Sequence, residues 1–188
     1  MSKKKILVFA GSARKDSFNK KLAAVAATEA REAGGEVTLA DLADYEAPVY
    51  HGDLEETDGL PQSMRGFKAL VNSHDAMIIV TPEYNGSVPP LLVNTLSWVS
   101  RPEGDEEACS AFVGKKAALA ATSPGGLGGV RVIPRLRDYL AELGVVTIPG
   151  FATVPSAYGA FGEDGTLTDS RAHEMVRKLA ENIVSSIG

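Results

Sequence analysis

Four side chains that can donate hydrogen bonds to an anion lie within the segment GSARKDSFN (11–19). They are the hydroxyls of Ser12 and Ser17, the guanidinium of Arg14 and the carboxamide of Asn19. The segment follows an apolar run and precedes an amphipathic one, so we expect it to open a helix, whose free N–H groups and dipole attract negative charge. Arg14 would add a charge-assisted contact. The spacing favours a phosphate site, although the residues alone also allow Ser17 or Asn19 to act only as a helix cap.

The same loop lacks the two most common phosphate-binding motifs. No Gly-Lys-Ser/Thr follows Gly11 at the distance of a Walker A motif, and the G-x-G-x-x-G pattern of dinucleotide sites is absent. The sequence therefore favours a mononucleotide phosphate over an ATPase or a dinucleotide-type Rossmann site.

The segment PEYNGS (82–87) is stiff and polar, although it follows a strongly apolar run. A flat heteroaromatic ring docked at a strand end needs main-chain N–H and C=O groups held edge-on to it. A turn containing Pro82 and the Cβ-free Gly86 can supply them. Asn85 could adopt a positive φ or present its amide, and Tyr84 could cover a face of the ring.

A second interpretation of this segment is a tight turn that caps the next helix. Ser87 would then be the N-cap, with Pro89 and Pro90 in the first turn. Both interpretations can hold together, because a capped and rigid turn is also what a docking platform requires.

The glycine-rich segment SPGGLGG (123–129) follows another apolar run. Glycines let main-chain N–H groups approach a ligand closely, and such donors can stabilise negative charge on a bound ring. The alternative is a flexible lead into the helix that begins near Val130, and composition does not separate the two.

The remaining chemistry-bearing residues suggest no metal or cysteine site. His51, His74 and His173 are scattered and have no helical pairing, so we expect no metal site. Cys109 lies in the polar stretch EGDEEACSA, far from the first strand. This position argues against a low-molecular-weight tyrosine phosphatase, whose nucleophilic cysteine lies in the first loop of a similar topology.

A serine hydrolase is the least favoured alternative. Ser12 after the first strand, with Asp169 and His173 near the C-terminus, could suggest a Ser/His/Asp arrangement. However, Asp169 and His173 are four residues apart, where GDSL-type lipases place the pair three apart, and Ser12 is not followed by the expected Asp.

Composition limits the classes of partner. The net charge of −5 argues against nucleic acid as the main partner, because phosphate backbones are bound by clustered Lys and Arg. No segment approaches the roughly 20 apolar residues of a membrane span, so no membrane partner is expected. The single cysteine, Cys109, excludes an internal disulfide and makes a cytoplasmic location the default expectation.

The elements that must position these loops alternate along the chain. Apolar runs predict strands at 5–10, 36–40, 76–81, 116–122 and 145–149, and amphipathic runs predict helices near 19–33, 61–73, 88–100, 131–143 and 169–186. Gly34 and Gly144 stand where two helices should stop. The segment 41–60 is predicted to be irregular. Five βα units imply an α/β fold with a doubly wound parallel sheet, helices on both faces and a single domain over 1–188. In such sheets ligands bind at the carboxyl ends of the strands.

The chain resembles the NADPH-dependent FMN reductases, a family of short flavodoxin-like flavoproteins. The resemblance is carried by GSARKDSFNKKLA, PEYNGSVPPLLVNTLSWVSR, TSPGGLGGVRVIPRLRDYLAELGVVTIPG and FGEDGTLTD, which together span most of the chain. It implies a five-stranded sheet in the order 2-1-3-4-5, non-covalent FMN, and hydride passed from NADPH or NADH through FMN to quinones, azo compounds, free flavin or metal oxyanions such as chromate. It also implies a homodimer or homotetramer and no conventional catalytic residue, because the flavin carries the chemistry.

The resemblance assigns roles to thirteen positions. It places the FMN phosphate at the first loop, the isoalloxazine ring at the second and the pyrimidine end of the ring at the third. The corresponding residues are Ser12, Arg14, Ser17, Phe18 and Asn19; Pro82, Glu83, Tyr84, Asn85 and Gly86; and Ser123, Gly125 and Gly126.

Three positions depart from the family pattern. Pro90 stands where Gly is usual, Val93 where Lys is usual and Ser97 where Asp is usual, on a helix that takes part in subunit contacts beside the flavin. The main rival is a flavodoxin-type electron carrier. Flavodoxins have a Ser/Thr-rich phosphate loop without an equivalent of Arg14, a strongly acidic face and no PEYNGS segment.

Overall fold

A computed structural model describes residues 4–187 of the chain. Six strands and six helices follow one another. The strands are β1 (Lys5–Ala10), β2 (Glu36–Ala40), β3 (Ala76–Thr81), β4 (Lys116–Thr122), β5 (Val146–Thr147) and β6 (Ala152–Val154). The helices are α1 (Phe18–Glu32), α2 (Gly52–Asp58), α3 (Gln62–Ser73), α4 (Pro90–Val99), α5 (Val132–Glu142) and α6 (Ser170–Ser186).

The strands form a parallel sheet in the order β2-β1-β3-β4-β5, which confirms the predicted flavodoxin-like topology. β3 is buried along its whole length and β1 is buried after Lys5, because helices cover both faces of the sheet. Alternate side chains of β1 therefore enter two cores. Ile6 and Val8 pack with α1 and α6, whereas Leu7 and Phe9 pack with α3, α4 and α5.

The outermost strand differs from the prediction. A single strand over 145–149 was expected, but β5 and β6 are two short segments that both pair with β4, β5 near its start and β6 near its end. Between them, Pro149 has no N–H to donate to a ladder and Gly150 has a φ of 84°, so the chain bends away from β4 and returns.

The two predicted helix stops are confirmed. α1 is followed by Ala33 and then by Gly34 with a φ of 94°, and α5 is followed by Leu143 and then by Gly144 with a φ of 80°. Glycine adopts this left-handed conformation without a steric penalty, so each helix ends there.

The segment 41–60 is more regular than predicted, because it contains a 3₁₀ turn (Leu42–Asp44) and α2. The His51 side chain caps α2 by accepting a hydrogen bond from the Asp53 N–H at 3.2 Å. No residue of α2 is buried, so the helix has no apolar periodicity that the sequence could reveal.

Candidate functional site

The loops that leave β1, β3 and β4 meet at one edge of the sheet and surround a cavity of about 430 Å³, a size typical of small-molecule sites. The cavity is lined by Ser12, Arg14, Asp16, Ser17, Phe18, Asn19, Lys21, Pro82, Glu83, Tyr84, Thr122, Ser123, Pro124 and Tyr158. It thus contains members of all three predicted groups. Asn85, Gly86, Gly125 and Gly126 lie in the same loops but do not line it.

The first loop presents hydrogen-bond donors that no other group in residues 4–187 uses. Ser17 is the N-cap of α1, and its Oγ accepts from the Lys20 N–H at 3.4 Å. The main-chain N–H groups of Phe18 and Asn19 and the exposed guanidinium of Arg14 have no acceptor within that range. Free donors at the N-terminus of a 15-residue helix fit an anion.

Asn19 connects the first loop to the third. Its Nδ2 donates to the Thr122 carbonyl and its Oδ1 accepts from the Thr122 N–H, both at 3.1 Å. Both residues are buried. The carboxamide therefore fixes the start of α1 against the end of β4, a role that neither interpretation of the sequence included.

The second loop is a tight hairpin turn. Tyr84 and Ser87 exchange main-chain hydrogen bonds of 3.0 and 2.9 Å, and the residues between them, Asn85 and Gly86, have φ values of 52° and 72°. Two successive positive φ angles are typical of a type I′ turn, for which Asn-Gly is the preferred pair. The turn leaves the Tyr84 side chain 47% exposed at the cavity.

The predicted cap of α4 is wrong in one respect. Ser87 is not the N-cap, because its main chain belongs to the turn. Pro89 occupies the N-cap position without a side-chain hydrogen bond, and Pro90 is the first helical residue. Proline is well suited to that position because its fixed φ matches the helix and the missing N–H has no partner there.

The Glu83 side chain is directed toward α5. Its carboxylate accepts from the Arg131 main-chain N–H at 3.1 Å and from Arg131 Nε at 2.7 Å, with a further contact to Arg131 Nη2. The Glu83 side chain is 8% exposed and that of Arg131 is 61% exposed. Glu83 therefore attaches the second loop to the start of α5, while its predicted contact with a ring stays a prediction.

In the third loop, the glycines predicted to contact a ligand, Gly125 and Gly126, are not the glycine that close packing requires. Gly128 has a φ of 58°, and a Cβ there would lie 2.9 Å from the main chain of Val154 and Pro155. At Gly126 a Cβ would meet nothing within 4 Å, and at Gly125 its nearest neighbour would be Ser123 Oγ at 3.9 Å. Close packing thus requires glycine at Gly128, whereas Gly125 and Gly126 leave open space at the exposed surface of the loop.

One lining residue that sequence reasoning missed is Tyr158, in the loop after β6. Its ring is 82% exposed and stands edge-on to Phe18, with centroids 5.3 Å apart and planes at 86°. Phe18 in turn is parallel to Phe161 at 6.3 Å. Lys21, another lining residue that was missed, places its ammonium 5.8 Å from the Phe18 centroid. No sequence signal marks a lone tyrosine in a loop as a wall of a site.

The Ser/His/Asp arrangement of a serine hydrolase does not form. His173 Nε2 lies 2.7 Å from the buried Glu29 carboxylate, and Asp169 caps α6 by accepting from the Arg171 and Ala172 N–H groups. Neither residue lines the cavity that contains Ser12. Across residues 4–187 no group of three potential metal ligands occurs, and no helix there has the length and apolarity to cross a bilayer.

One cluster of groups with shifted pKa values lies outside the cavity, at α2. Burial raises the pKa of Glu55, but hydrogen bonds from Arg101 and Tyr50 outweigh it, so the pKa is lowered overall. The hydrogen bond to Glu55, with burial, raises the pKa of Tyr50. The ion pair between Glu55 and Arg101 joins α2 to the residues that follow α4.

A sequence model of the NADPH-dependent FMN reductases matches residues 4–159. The chain belongs to this family. It is thus an FMN-dependent NAD(P)H oxidoreductase. The enzyme is 38% identical to a 2-hydroxy-1,4-benzoquinone reductase of Burkholderia sp. over 142 residues, which cover 76% of this chain and 73% of that protein. It is 34% identical to a quinone reductase of Pseudomonas putida over 169 residues, covering 87% and 84%. Its fold matches that of FerB, a flavoenzyme NAD(P)H:(acceptor) oxidoreductase from Paracoccus denitrificans, with a TM-score of 0.80 and 30% identity over 98% of this chain and 97% of FerB.

The residues present in the reductase fit FMN. The donors around the start of α1 and the Arg14 guanidinium suit a phosphate. The hydrogen-bonded turn at Asn85 and Gly86 gives the loop after β3 a defined main-chain conformation. Arg14 and the residues that lead into this turn, Pro82, Glu83 and Tyr84, line the same cavity, which suits a mononucleotide that carries a flat ring.

Proposed function

We propose that this enzyme holds FMN non-covalently in the cavity at the carboxyl edge of the sheet, within a single domain, and reduces small acceptors, with quinones as the principal class. The observation that carries the proposal is that one cavity is lined both by the first loop, whose donors have no acceptor within residues 4–187, and by Pro82, Glu83 and Tyr84, which lead into the type I′ turn of the second loop. The quinone reductases among the relatives support this choice of acceptor.

The first and second loops would hold FMN, and bound FMN would supply the two-electron chemistry that links NADPH or NADH to the acceptor. With a quinone as acceptor, the overall reaction consumes NAD(P)H, one proton and the quinone, and it produces NAD(P)⁺ and the hydroquinone. The acceptor's second proton can come from solvent, so no acid or base side chain is required. The work of the protein is binding and orientation.

Each loop has a part in the proposed binding. The first loop, through Arg14 and the start of α1, neutralises the phosphate. The second loop, with Tyr84 exposed beside the turn, supports the ring, and Glu83 keeps this loop in place through α5. The third loop offers the main chain of Ser123, Gly125 and Gly126 to the pyrimidine end. The complete proposed set is Ser12, Arg14, Ser17, Phe18, Asn19, Pro82, Glu83, Tyr84, Asn85, Gly86, Ser123, Gly125 and Gly126.

The test is an anaerobic titration followed by visible absorbance. Protein loaded with FMN and freed of excess by gel filtration should lose its flavin band on addition of NADPH and recover it fully on addition of a quinone. Slow reduction by NADPH together with rapid electron exchange with a partner protein would instead favour a flavodoxin-type carrier. Azo compounds, free flavin and chromate, tested in the same assay, define the range of acceptors.

We also propose that the enzyme is a cytoplasmic homodimer or homotetramer. The single cysteine supports a reducing compartment. Val49, 83% exposed, lies beside α4, because the Pro48 carbonyl accepts hydrogen bonds from Asn94 Nδ2 and Trp98 Nε1. The family resemblance places α4 at the subunit contact, so we choose the exposed Val49 side chain to test it. Sedimentation of wild type and Val49→Asp tests it, with partial dissociation of the variant expected and an unchanged sedimentation coefficient contradicting the contact.

A further inference from the structure

Tyr158 is the most exposed aromatic residue at the cavity and the one whose position the proposed FMN site leaves unexplained. Its ring is 82% exposed, and within residues 4–187 its hydroxyl makes no hydrogen bond. Its position in the wall of the cavity makes this exposed ring available to a bound ligand.

The Tyr158 ring is also held in a defined place. It packs perpendicular to Phe18, which is parallel to Phe161, and the loop main chain is tied to the third loop by hydrogen bonds from Ala157 N–H to Ser123 O at 3.1 Å and from Ser156 N–H to Gly125 O at 3.3 Å. Because the ring is 82% exposed, most of its surface is left for a ligand. A pre-positioned aromatic face is suited to stacking on a flat base.

The position of Tyr158 decides which flat group that is. Its ring contacts Phe18, the first residue of α1, and so lies at the phosphate end of the cavity, whereas Tyr84 and the type I′ turn mark the end proposed for the isoalloxazine. The phosphate end of FMN carries no ring. A donor whose nicotinamide lies on the isoalloxazine carries its second ring, adenine, at a distance along the cavity.

Charge at this end agrees with an adenine nucleotide. The Lys21 ammonium lies 5.8 Å from the Phe18 centroid and 6.0 Å from that of Phe161, and it forms no ion pair within residues 4–187. We propose, building on the proposed function, that Tyr158 stacks on the adenine of NADPH and that Lys21 attracts the phosphates attached to its ribose. The two residues would form a donor-binding subsite separate from the FMN contacts.

Adenosine 2′,5′-bisphosphate is the probe, because it carries the adenine and ribose phosphates but no nicotinamide. Calorimetric titration of the FMN-loaded protein measures its Kd without turnover. Tyr158→Ala should weaken binding roughly tenfold to a hundredfold, as loss of one base stack does. Tyr158→Phe should retain wild-type affinity, since the ring face remains. Lys21→Gln should weaken the bisphosphate more than it weakens adenosine.

Two controls separate this inference from the proposed function. Phe151→Ala removes a 43% exposed aromatic residue that does not line the cavity, and should leave the Kd of the bisphosphate unchanged. The Kd of FMN should be the same in wild type and Tyr158→Ala. In turnover, Tyr158→Ala should raise KM for NADPH by a larger factor than it changes kcat for quinone reduction, whereas Phe151→Ala should change neither.

The outcomes are distinct. Wild-type affinity for the bisphosphate in Tyr158→Ala, or an FMN affinity that falls with it, overturns the adenine subsite and leaves the proposed function intact. Wild-type protein that fails to bind FMN at all overturns the proposed function and the subsite with it.

Discussion

Asn19 and Thr122, 103 residues apart in the chain, are joined by two hydrogen bonds of 3.1 Å each that satisfy the Thr122 main-chain N–H and C=O. Both residues are buried, so removal of the carboxamide leaves the Thr122 main-chain groups without their protein partner. The pair couples the first loop to the end of β4, the strand that precedes the glycine-rich third loop.

Asn19→Ala should therefore lower the free energy of unfolding by about 1–3 kcal/mol, the typical effect of leaving a buried polar group unpaired. Urea denaturation followed by circular dichroism measures it. Asn182→Ala, an exposed asparagine on α6, is the matched control and should change the free energy by no more than about 0.5 kcal/mol. Equal effects of the two substitutions would contradict the importance of the pair.

Arg14→Ala should weaken FMN binding about tenfold to a hundredfold, because a charge-assisted contact contributes about 1.5–3 kcal/mol. Quenching of flavin fluorescence on titration gives the Kd. Lys15→Ala removes a cation from the same exposed loop at a residue that does not line the cavity, so it should have a much smaller effect. Retention of wild-type affinity in Arg14→Ala would refute the assignment of the phosphate to this loop.

Glu83→Ala should cost more stability than Arg131→Ala. Glu83→Ala removes both the side-chain pair and the cap on the Arg131 N–H, about 1.5–3 kcal/mol in all. Arg131→Ala removes only an exposed partner and keeps the main-chain N–H, so a loss of about 1 kcal/mol or less is expected. Chemical denaturation of both variants and of the double variant measures the two contributions. Equal losses for the single variants would show that the cap contributes nothing.

Gly128→Ala should destabilise the fold by at least about 1–3 kcal/mol, since φ is 58° and a Cβ would meet main-chain atoms at 2.9 Å. Gly126→Ala, two residues earlier, has room for a Cβ and should leave the free energy of unfolding nearly unchanged. Thermal denaturation compares them. A well-tolerated Gly128→Ala would mean that the third loop does not pack on Val154 and Pro155 as described.

The free energy of unfolding should decrease in acid as Glu55 becomes protonated. Its pKa is lowered from 4.5 in the folded state, so the unfolded chain takes up a proton first, and the stabilisation is present above pH 4.5 and is lost as pH falls through the folded pKa. Glu55→Gln should thus melt below wild type near neutral pH, and the difference should shrink in acid. Melting curves between about pH 7 and pH 3 measure it, with the exposed Glu56→Gln as control. A constant difference across this range would argue against the pair with Arg101.

The sequence predicted those parts of the fold that have strong apolar patterns. β1, β3 and β4 are continuous apolar runs, and the stops at Gly34 and Gly144 follow from a conformation that glycine adopts readily. α2 was missed because a short helix with no buried residue has no apolar periodicity. β6 was missed because a three-residue strand is too short to show a period.

The sequence predicted features of the candidate site that lie within one loop. It did not predict contacts between residues that are brought together only by folding. The first loop and the Asn-Gly turn can be read locally. The Thr122 partner of Asn19 and the Arg131 partner of Glu83 could not be predicted, since each pair joins segments that are distant in the chain. Tyr158 required both its exposure and its contact with Phe18.

The division of the outer strand at Ile148–Phe151 has a consequence for the behaviour of the protein in concentrated solution. A long open strand edge is a template for pairing with other molecules and hence for aggregation. Here that side of the sheet offers only the two residues of β5 and the three of β6, with Pro149 between them. Although Val146 and Phe151 are 55% and 43% exposed, neither segment is long enough to nucleate a stable intermolecular ladder.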